Sequence, residues 1–343
     1  MSTTTKKTRA TLKDIARELN ISATAVSQAL NGKGRLSEPL RRKVEEAASS
    51  LGYRPNPAAR VLRGTKTQSI GVVINFFNNP FFRKFFIGLE EVTAPAGIHY
   101  WVSQTHDVFA KEETQIQTLA DFGVDGIILL PCSETHTHLD TVSAQFDIPF
   151  VLISHNMGER FAAVQADNVK GAELAAEHLL SLGNRPVVHI AGPLGKSGMR
   201  ERMQGFCNVM SKTPGFAVDS AVFFVDALTS EEGGRVMGPI LERHGSPVSV
   251  FVANDDVALG VLTFCIERGL NLPDDVAVVG FSDIDILQKL NIPLTSINIP
   301  QKRMGHEAGK ILLDLIRNPE HRQNPPVVTM PVSLVVRQST VAG

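Results

Sequence analysis

The sequence predicts an α/β protein in which a small three-helix head precedes a large body made of two doubly wound, parallel-sheet subdomains. Its 343 residues are more than one ordinary domain needs. Residues 1–66 hold 14 Lys and Arg against five Asp and Glu, or +9, and the remainder carries −10. Helical patterns fill the head, whereas strands and helices alternate from residue 69 onward. We therefore expect a head (1–55), a linker (56–68) and a body (69–343).

Composition excludes several classes of protein. No apolar run reaches the roughly 18 residues of a membrane span. The Ser/Thr/Lys-rich N-terminus has no apolar stretch behind it, so it does not resemble a secretory signal. The three cysteines, Cys132, Cys207 and Cys265, lie far apart, which favours a reducing compartment over disulfides or a metal site. We expect a cytoplasmic protein without membrane contact.

The first helix of the head is predicted to begin at a capping box, since Thr11 and Asp14 have the required spacing. Ser22 can cap a second helix over 23–30, after a tight turn at Asn20. Ser37 can cap a third helix that runs to about Leu51, with a proline tolerated in its first turn. Two short helices joined by a tight turn, with a third behind them, describe a helix-turn-helix domain.

The particular residues of the head carry a family resemblance. The matching strings are Leu12-Lys-Asp-Ile-Ala16, Ser22-Ala-Thr-Ala-Val-Ser27, Leu30-Asn31 and Leu51-Gly-Tyr-Arg-Pro-Asn56. Together they resemble the head of the lactose-repressor/galactose-repressor family of bacterial transcriptional regulators. In a helix-turn-helix the second helix lies in the major groove of DNA. The basic charge of the head fits a polyanion partner.

The resemblance implies two kinds of DNA contact from the head. Ala23, Thr24 and Gln28 would reach base edges, where Gln pairs with adenine and methyl groups suit thymine. Phosphate contacts that fix the register would come from Thr11, Ser22, Ser27 and Asn31. The alternative is that these residues form only a solvated helix face.

The linker has two interpretations. By itself, the stretch from Asn56 to Gly64 could be an ordinary connector. By the family resemblance it is a hinge helix that folds on operator DNA, with Asn56 and Ala59 against the DNA and Leu62 wedged into a base step from the minor groove. One hinge helix per subunit implies a homodimer on palindromic double-stranded DNA. No leucine heptad follows the body, so we expect no tetramer.

The body is predicted from its alternating pattern. Nearly all-apolar strands separated by helices indicate parallel sheets covered on both faces. The predicted strands are 69–74, 99–104, 126–130, 150–154, 162–166, 187–191, 221–225, 248–253, 277–281 and 295–299. The predicted helices are 80–95, 111–122, 168–182, 198–212, 230–244, 255–268 and 301–317. This length suggests two subdomains, with the second beginning at about 163.

Polar and aromatic residues follow several strands, where ligands of parallel sheets bind. These segments also match the body of the lactose-repressor family, which has the fold of periplasmic binding proteins. The resemblance implies a small-molecule effector between the subdomains. Phe81 and Phe82 would stack on it, and Arg200 and Asn254 would hydrogen-bond it. The remaining expected contacts are Arg83, Ser154, Ser282 and Asp283.

Several details of that site stay open. The family often has a carboxylate where this chain has Ser282, which weakens the case for a carboxylate contact to a sugar hydroxyl, although Asp283 is adjacent. Arg83 and Arg200 would suit an anionic ligand. Phe81 and Phe82 could instead be core residues, Asn254 could simply cap a helix, and Arg202 is expected to pair with an acid. We favour a sugar or sugar phosphate by family analogy.

The favoured function is a ligand-controlled transcriptional repressor that is not an enzyme and needs no cofactor. A solute-binding protein of a transporter shares the two-subdomain fold, but it would need a signal peptide and would not carry a basic head. An α/β enzyme would need reactive groups at the strand ends. No nucleophile elbow, P-loop, dinucleotide fingerprint or spaced metal-ligand set is present.

Overall fold

The structure, a computed structural model, describes residues 10–30, 36–53, 66–183 and 185–341, without the side chain of residue 159. The chain forms two compact units, Met1–Thr67 and Gln68–Gly343, which are the head and the body. Within the described ranges, every helix is too short or too polar to cross a lipid bilayer.

The head consists of α1 (Leu12–Leu19), α2 (Ala23–Leu30) and α3 (Glu38–Ser50). The three helices begin and end within a residue or two of their predicted limits. Each supplies apolar residues at helical spacing to a common core. The fully buried members of this core are Ile15, Val26 and Val44. The predicted three-helix head is therefore confirmed.

The first sheet of the body has six strands. They are β1 (Ser69–Ile74), β2 (His99–Gln104), β3 (Ile127–Leu129), β4 (Phe150–Ile153), β5 (Ala162–Ala166) and β11 (Val327–Met330). Their order is β11-β5-β4-β3-β1-β2, and all neighbours are parallel. The helices of this subdomain are α4 (Phe81–Thr93), α5 (Phe109–Asp121), α6 (Thr137–Phe146) and α12 (Gln301–Arg317).

The second sheet also has six strands. They are β6 (Val187–Ala191), β7 (Val222–Phe224), β8 (Val248–Val252), β9 (Val276–Ser282), β10 (Thr295–Asn298) and β12 (Ser333–Val335). Their order is β12-β10-β9-β8-β6-β7, and only β12 runs antiparallel to its neighbour. The helices here are α7 (Asn168–Ser181), α8 (Ser197–Met210), α9 (Val218–Ala221), α10 (Ser230–His244) and α11 (Asp255–Glu267). Short 3-10 helices lie at Gly158–Arg160, Leu287–Lys289 and Pro319–Gln323.

The boundary between the subdomains differs from the one expected near residue 163. Strand β5 pairs with β4 and β11, so it belongs to the first sheet, and the second subdomain begins with α7. The chain then returns to the first subdomain for α12 and β11 before it ends with β12 in the second sheet. The apolar pattern marks strands but not the sheet that each one joins. The short strands β11 and β12 and the helices α6 and α9 were not predicted.

Helices α10 and α11 cross so closely that glycine is required at the contact. A Cβ atom added to Gly260 would lie 1.7 Å from the carbonyl oxygen of Ser230, and one added to Gly233 would lie 2.1 Å from that of Val257. Both obstacles are backbone atoms, which cannot rotate away. The crossing fixes the position of the first turn of α11, which follows β8 directly at the carboxyl edge of the second sheet.

His189 is a fully buried histidine in the core of the second subdomain. Its Nδ1 donates to the carbonyl oxygen of Phe251 at 3.1 Å, and its ring stacks on that of Phe251 with centroids 4.6 Å apart. Within the described residues Nε2 has no partner. Burial lowers the pKa of His189 to about 4, because a charged imidazolium would lose its hydration.

We expect the contribution of His189 to the stability of the body to become unfavourable as the pH drops from 6.5 toward 4. Below pH 6.5 the unfolded chain binds a proton at His189 that the folded state takes up only near pH 4. Between pH 7 and 4.5 this single group should cost about 2 kcal/mol of the free energy of unfolding. Urea titrations at both pH values test this, and His189→Phe should reduce the difference by that amount. An unchanged difference in the variant would contradict the assignment.

Candidate functional site

The head presents the side of α2 that was predicted to face DNA. Thr24 and Gln28 are exposed and lie one helical turn apart, while Ala23 and Ser27 are half-buried. Ser22 is exposed, and its hydroxyl oxygen accepts from the amide of Ala25 at 3.0 Å, so it caps α2. The residues at which base and phosphate contacts were predicted therefore lie in one region at the start of and along α2.

Thr11 lies at the start of α1, where the capping box was expected. Its amide and hydroxyl donate to a carboxylate oxygen of Asp14 at 2.9 and 2.7 Å. The remaining predicted DNA contacts, Asn31, Asn56, Ala59 and Leu62, lie outside the described residues. The hinge helix therefore remains a prediction.

A cavity of about 480 Å³ lies between the two subdomains of the body. Its walls come from segments that follow β1, β2, β3 and β4 in the first subdomain and β6, β7, β8 and β9 in the second. In both sheets, successive strands are added first in one direction and then in the other. The change falls between β1 and β3 in the first sheet and between β6 and β8 in the second. Such reversals open a crevice at the carboxyl edge of a parallel sheet. The volume is typical of a small-molecule site.

Four of the predicted effector-binding residues line this cavity: Phe81, Ser154, Asn254 and Ser282. Asn254 also caps α11, because its Oδ1 accepts from the amide of Val257 at 2.9 Å. Ser154 and Ser282 have φ angles of 59° and 122°, which residues other than glycine seldom adopt. Strained backbone at the ends of two strands is typical of a functional site.

The other four predicted residues do not line the cavity. Phe82 is buried against Phe85 and Phe86. Arg83 pairs with Asp285. Asp283 is buried, and its carboxylate accepts from Asn298, Gln288 and Arg337. The alternative that both phenylalanines are core residues fits Phe82, whereas Phe81 belongs to the core and also lines the cavity.

Arg200 also points away from the cavity, whereas Arg202, two residues further along α8, lines it. Arg200 pairs with Glu134 at 2.6 Å and donates to the carbonyl oxygen of Leu194 at 2.8 Å. Positions two residues apart on a helix face nearly opposite directions. The cavity lining thus contains Arg202 of this helix and not Arg200, the arginine that the resemblance implied.

Within the described residues, Arg202 is buried with neutral hydrogen-bonding partners and without the expected ion pair, although the charges of Asp255 and Glu201 act on it from a greater distance. Its Nε donates to Oδ1 of Asn168 at 3.0 Å, Nη1 donates to the carbonyl oxygen of Ala253, and the guanidinium lies 3.6 Å from the ring centroid of Phe281. Burial lowers the pKa of Arg202 to about 9. A buried cation without a carboxylate in contact can serve as a donor to a ligand.

His155 adds a neutral polar group that sequence reasoning did not assign. Its side chain lines the cavity and is only 4% exposed. Nδ1 has no hydrogen-bond partner within the described part of the chain. Burial, together with the charges of Lys196, Arg200 and Arg202, lowers the pKa of His155 to about 3. The imidazole is therefore neutral at physiological pH.

Two ion pairs join the subdomains at the edge of the cavity. Lys196 of the second subdomain lies 2.8 Å from Asp107, which follows β2, and Arg200 lies 2.6 Å from Glu134, which follows β3. The Lys196–Asp107 pair is the more buried of the two, with side-chain exposures of 16% and 31%. These pairs hold the facing walls together.

We expect Lys196 and Asp107 to stabilise the body jointly by about 1 kcal/mol, since the pair is partly withdrawn from water. A double-mutant cycle with Lys196→Ala, Asp107→Ala and the double variant measures this coupling by urea unfolding. The coupling should shrink in 1 M salt. A coupling of zero in low salt would show that the contact adds no stability.

The fold and the site together define a class of protein: a basic helix-turn-helix head joined to a body with a small-molecule cleft. Residues 11–56 match the family described as bacterial regulatory proteins, lacI family, and residues 176–340 match the periplasmic binding protein-like domain.

Curated relatives match almost from end to end. The HTH-type transcriptional regulator DegA of Bacillus subtilis is 30% identical over 339 residues, which cover 97% of this chain and 98% of DegA. The HTH-type transcriptional repressor PurR of Photobacterium profundum is 28% identical over 331 residues, covering 96% and 98%. The chain belongs to the lacI family of bacterial regulatory proteins.

Solved structures show the same architecture. The transcriptional regulator CelR in complex with cellobiose is 27% identical with a TM-score of 0.72, and the match covers 96% of this chain and all of that one. The lac repressor dimer bound to operator and the anti-inducer ONPF has a TM-score of 0.81 at 24% identity, covering 97% and 100%. The predicted fold class is confirmed. The chain is a DNA-binding transcriptional regulator with an effector-binding body, and the match of its head favours this over a solute-binding protein.

Proposed function

We propose that this regulator is a homodimeric repressor that binds a palindromic operator. Its affinity for the operator is controlled by a small molecule bound in the cleft of the body. The proposal is supported by the joint presence of exposed residues on α2 and a cavity between two subdomains, lined by polar and apolar groups. A ligand that binds one arrangement of the subdomains more tightly shifts the population toward it. Regulation rather than catalysis is the role we assign to the cleft.

Sequence recognition is assigned to Ala23, Thr24 and Gln28, and register on the duplex to Thr11, Ser22, Ser27 and Asn31. The hinge, with Asn56, Ala59 and Leu62, is assigned to the minor groove. In the body we retain Phe81, Ser154, Asn254 and Ser282 and add Arg202 and His155. A largely apolar cavity with several polar groups and an aromatic wall suits a sugar, and CelR, a relative by structure, was solved with cellobiose.

The test is a fluorescence-anisotropy titration of the full chain onto palindromic duplexes selected from genomic DNA, at two salt concentrations. Gln28→Ala should weaken binding to the selected palindrome about 10- to 100-fold, because one base-edge contact contributes roughly 1–3 kcal/mol. Binding to random DNA should change little and should weaken in high salt.

Two further variants separate the parts of this proposal. Ser49→Ala, an exposed position on α3, is the matched control and should bind like the parent chain. Leu62→Ala should lower the affinity for the palindrome if the hinge wedges into the duplex. Equal affinity of the parent chain for palindromic and random duplexes, with and without candidate ligands, would contradict sequence-specific regulation.

A further inference from the structure

Asp256 is a carboxylate in the cavity wall that the fold itself does not use. It lies in the first turn of α11 and lines the cavity. Among the described residues, no hydrogen bond or ion pair engages its carboxylate. Burial alone raises the pKa of Asp256. Helix capping does not account for it either, since Asn254 caps α11.

The other two acids of the cavity wall are already engaged. Asp255 is buried, and its two oxygens accept from the amide of Ile284 at 2.8 Å and from the hydroxyl of Ser296 at 2.7 Å. Asp107 is paired with Lys196. Asp256 is therefore the acid in this lining that keeps both carboxylate oxygens for a ligand.

The positive groups of the wall are less open to a ligand anion. Lys196 is neutralised by Asp107, and His155 carries no charge. Arg202 donates through Nε and Nη1 to Asn168 and to the carbonyl oxygen of Ala253, so only part of its guanidinium is left for a ligand. The described acids of the lining outnumber its Lys and Arg by one. A phosphate group would add two more negative charges close to Asp256.

We propose that Asp256 determines the charge class of the effector, an inference that rests on the proposed function of the cleft. Its two oxygens accept hydrogen bonds from adjacent hydroxyl groups of an uncharged, polyhydroxylated ligand, and its charge excludes phosphorylated ligands. Asp256 would thus supply the carboxylate contact for which Ser282 offers no acid.

Of the two ligand classes that the sequence left open, sugars and sugar phosphates, the uncharged sugars fit this cavity. A neutral sugar satisfies the unpaired carboxylate, and its ring has an apolar face for Phe81. A sugar phosphate would place like charges together in a partly desolvated cavity, where repulsion is stronger than in bulk water.

The experiment is a binding panel of matched ligands measured by isothermal titration calorimetry on the full chain. The panel pairs glucose with glucose 6-phosphate, ribose with ribose 5-phosphate and cellobiose with its phosphorylated form. The variants are Asp256→Asn and, as a control for the lost charge, Glu267→Gln, an exposed position at the other end of α11.

We expect at least one neutral sugar to bind the parent chain tenfold or more tightly than its phosphorylated partner. Asp256→Asn should weaken binding of that sugar about 10- to 100-fold. It should also reduce the ratio between the affinities for the sugar and for its phosphorylated partner, whereas Glu267→Gln should change neither quantity. The ratio is measured within one variant, so a general loss of folding does not imitate the result.

The proposed role of Asp256 is overturned if no neutral sugar binds, if a phosphorylated sugar binds preferentially, or if Asp256→Asn leaves the ratio of the two affinities unchanged. Binding of a phosphorylated sugar that also changes operator affinity would leave the proposed function standing without this role for Asp256. The proposed function fails separately, when a bound ligand has no effect on operator affinity.

Discussion

Replacing Gly260 with alanine is expected to lower the free energy of unfolding of the body by about 3 kcal/mol or more. The new methyl group would sit 1.7 Å from the carbonyl oxygen of Ser230, so α10 and α11 must move apart. Overpacking of this kind commonly costs 1–3 kcal/mol, and more where the obstacle is backbone. Separation of these helices also removes contacts from the core of the second subdomain, to which Val236 and Val261 belong.

Gly238→Ala is the matched control for that substitution. Gly238 lies in α10, and a Cβ atom there meets nothing within 4 Å. Alanine favours the helix by about 1 kcal/mol over glycine, so this variant should be as stable as the parent chain or slightly more stable. Urea unfolding followed by circular dichroism measures both variants. Similar midpoints for the two would contradict the close crossing.

The second large effect is expected from Arg202→Met, which should weaken effector binding at least 100-fold while Arg200→Met weakens it only slightly. Removal of the Arg202 guanidinium leaves Oδ1 of Asn168 and the carbonyl oxygen of Ala253 without their donor and takes a cation from the cavity wall. Loss of one partner of a buried charged hydrogen bond typically costs 2–5 kcal/mol.

Calorimetry with the effector found in the ligand panel measures both arginine variants, and Arg200→Met serves as the control on the same helix. It loses the ion pair to Glu134 but no lining group of the cavity. A larger loss of affinity in Arg200→Met than in Arg202→Met would favour the assignment made from the sequence. Unfolding curves of the free variants separate lost binding from lost stability.

Local patterns were sufficient to predict most elements of the fold. The predicted limits of α10 (Ser230–His244) and α12 (Gln301–Arg317) agree residue for residue with the structure, because long amphipathic segments leave few alternatives. The central strands were equally plain, since parallel strands buried on both faces are apolar throughout. The segments that escaped prediction, β11, β12, α6 and α9, are short or lack such a pattern.

The sequence alone determined a basic three-helix head, a two-sheet α/β body and the strand ends around which a ligand would bind. Tertiary structure alone decided that β5 and β11 join the first sheet and that Arg202 rather than Arg200 lines the cavity. It also decided that Asp256 is the acid of that lining without a partner among the described residues. The physical reason is the separation along the chain of the residues that interact. Helices and strands follow from the period of neighbouring residues, whereas sheet membership and the free or engaged state of a side chain depend on residues distant in the chain, such as Glu134 for Arg200 and Ala253 for Arg202.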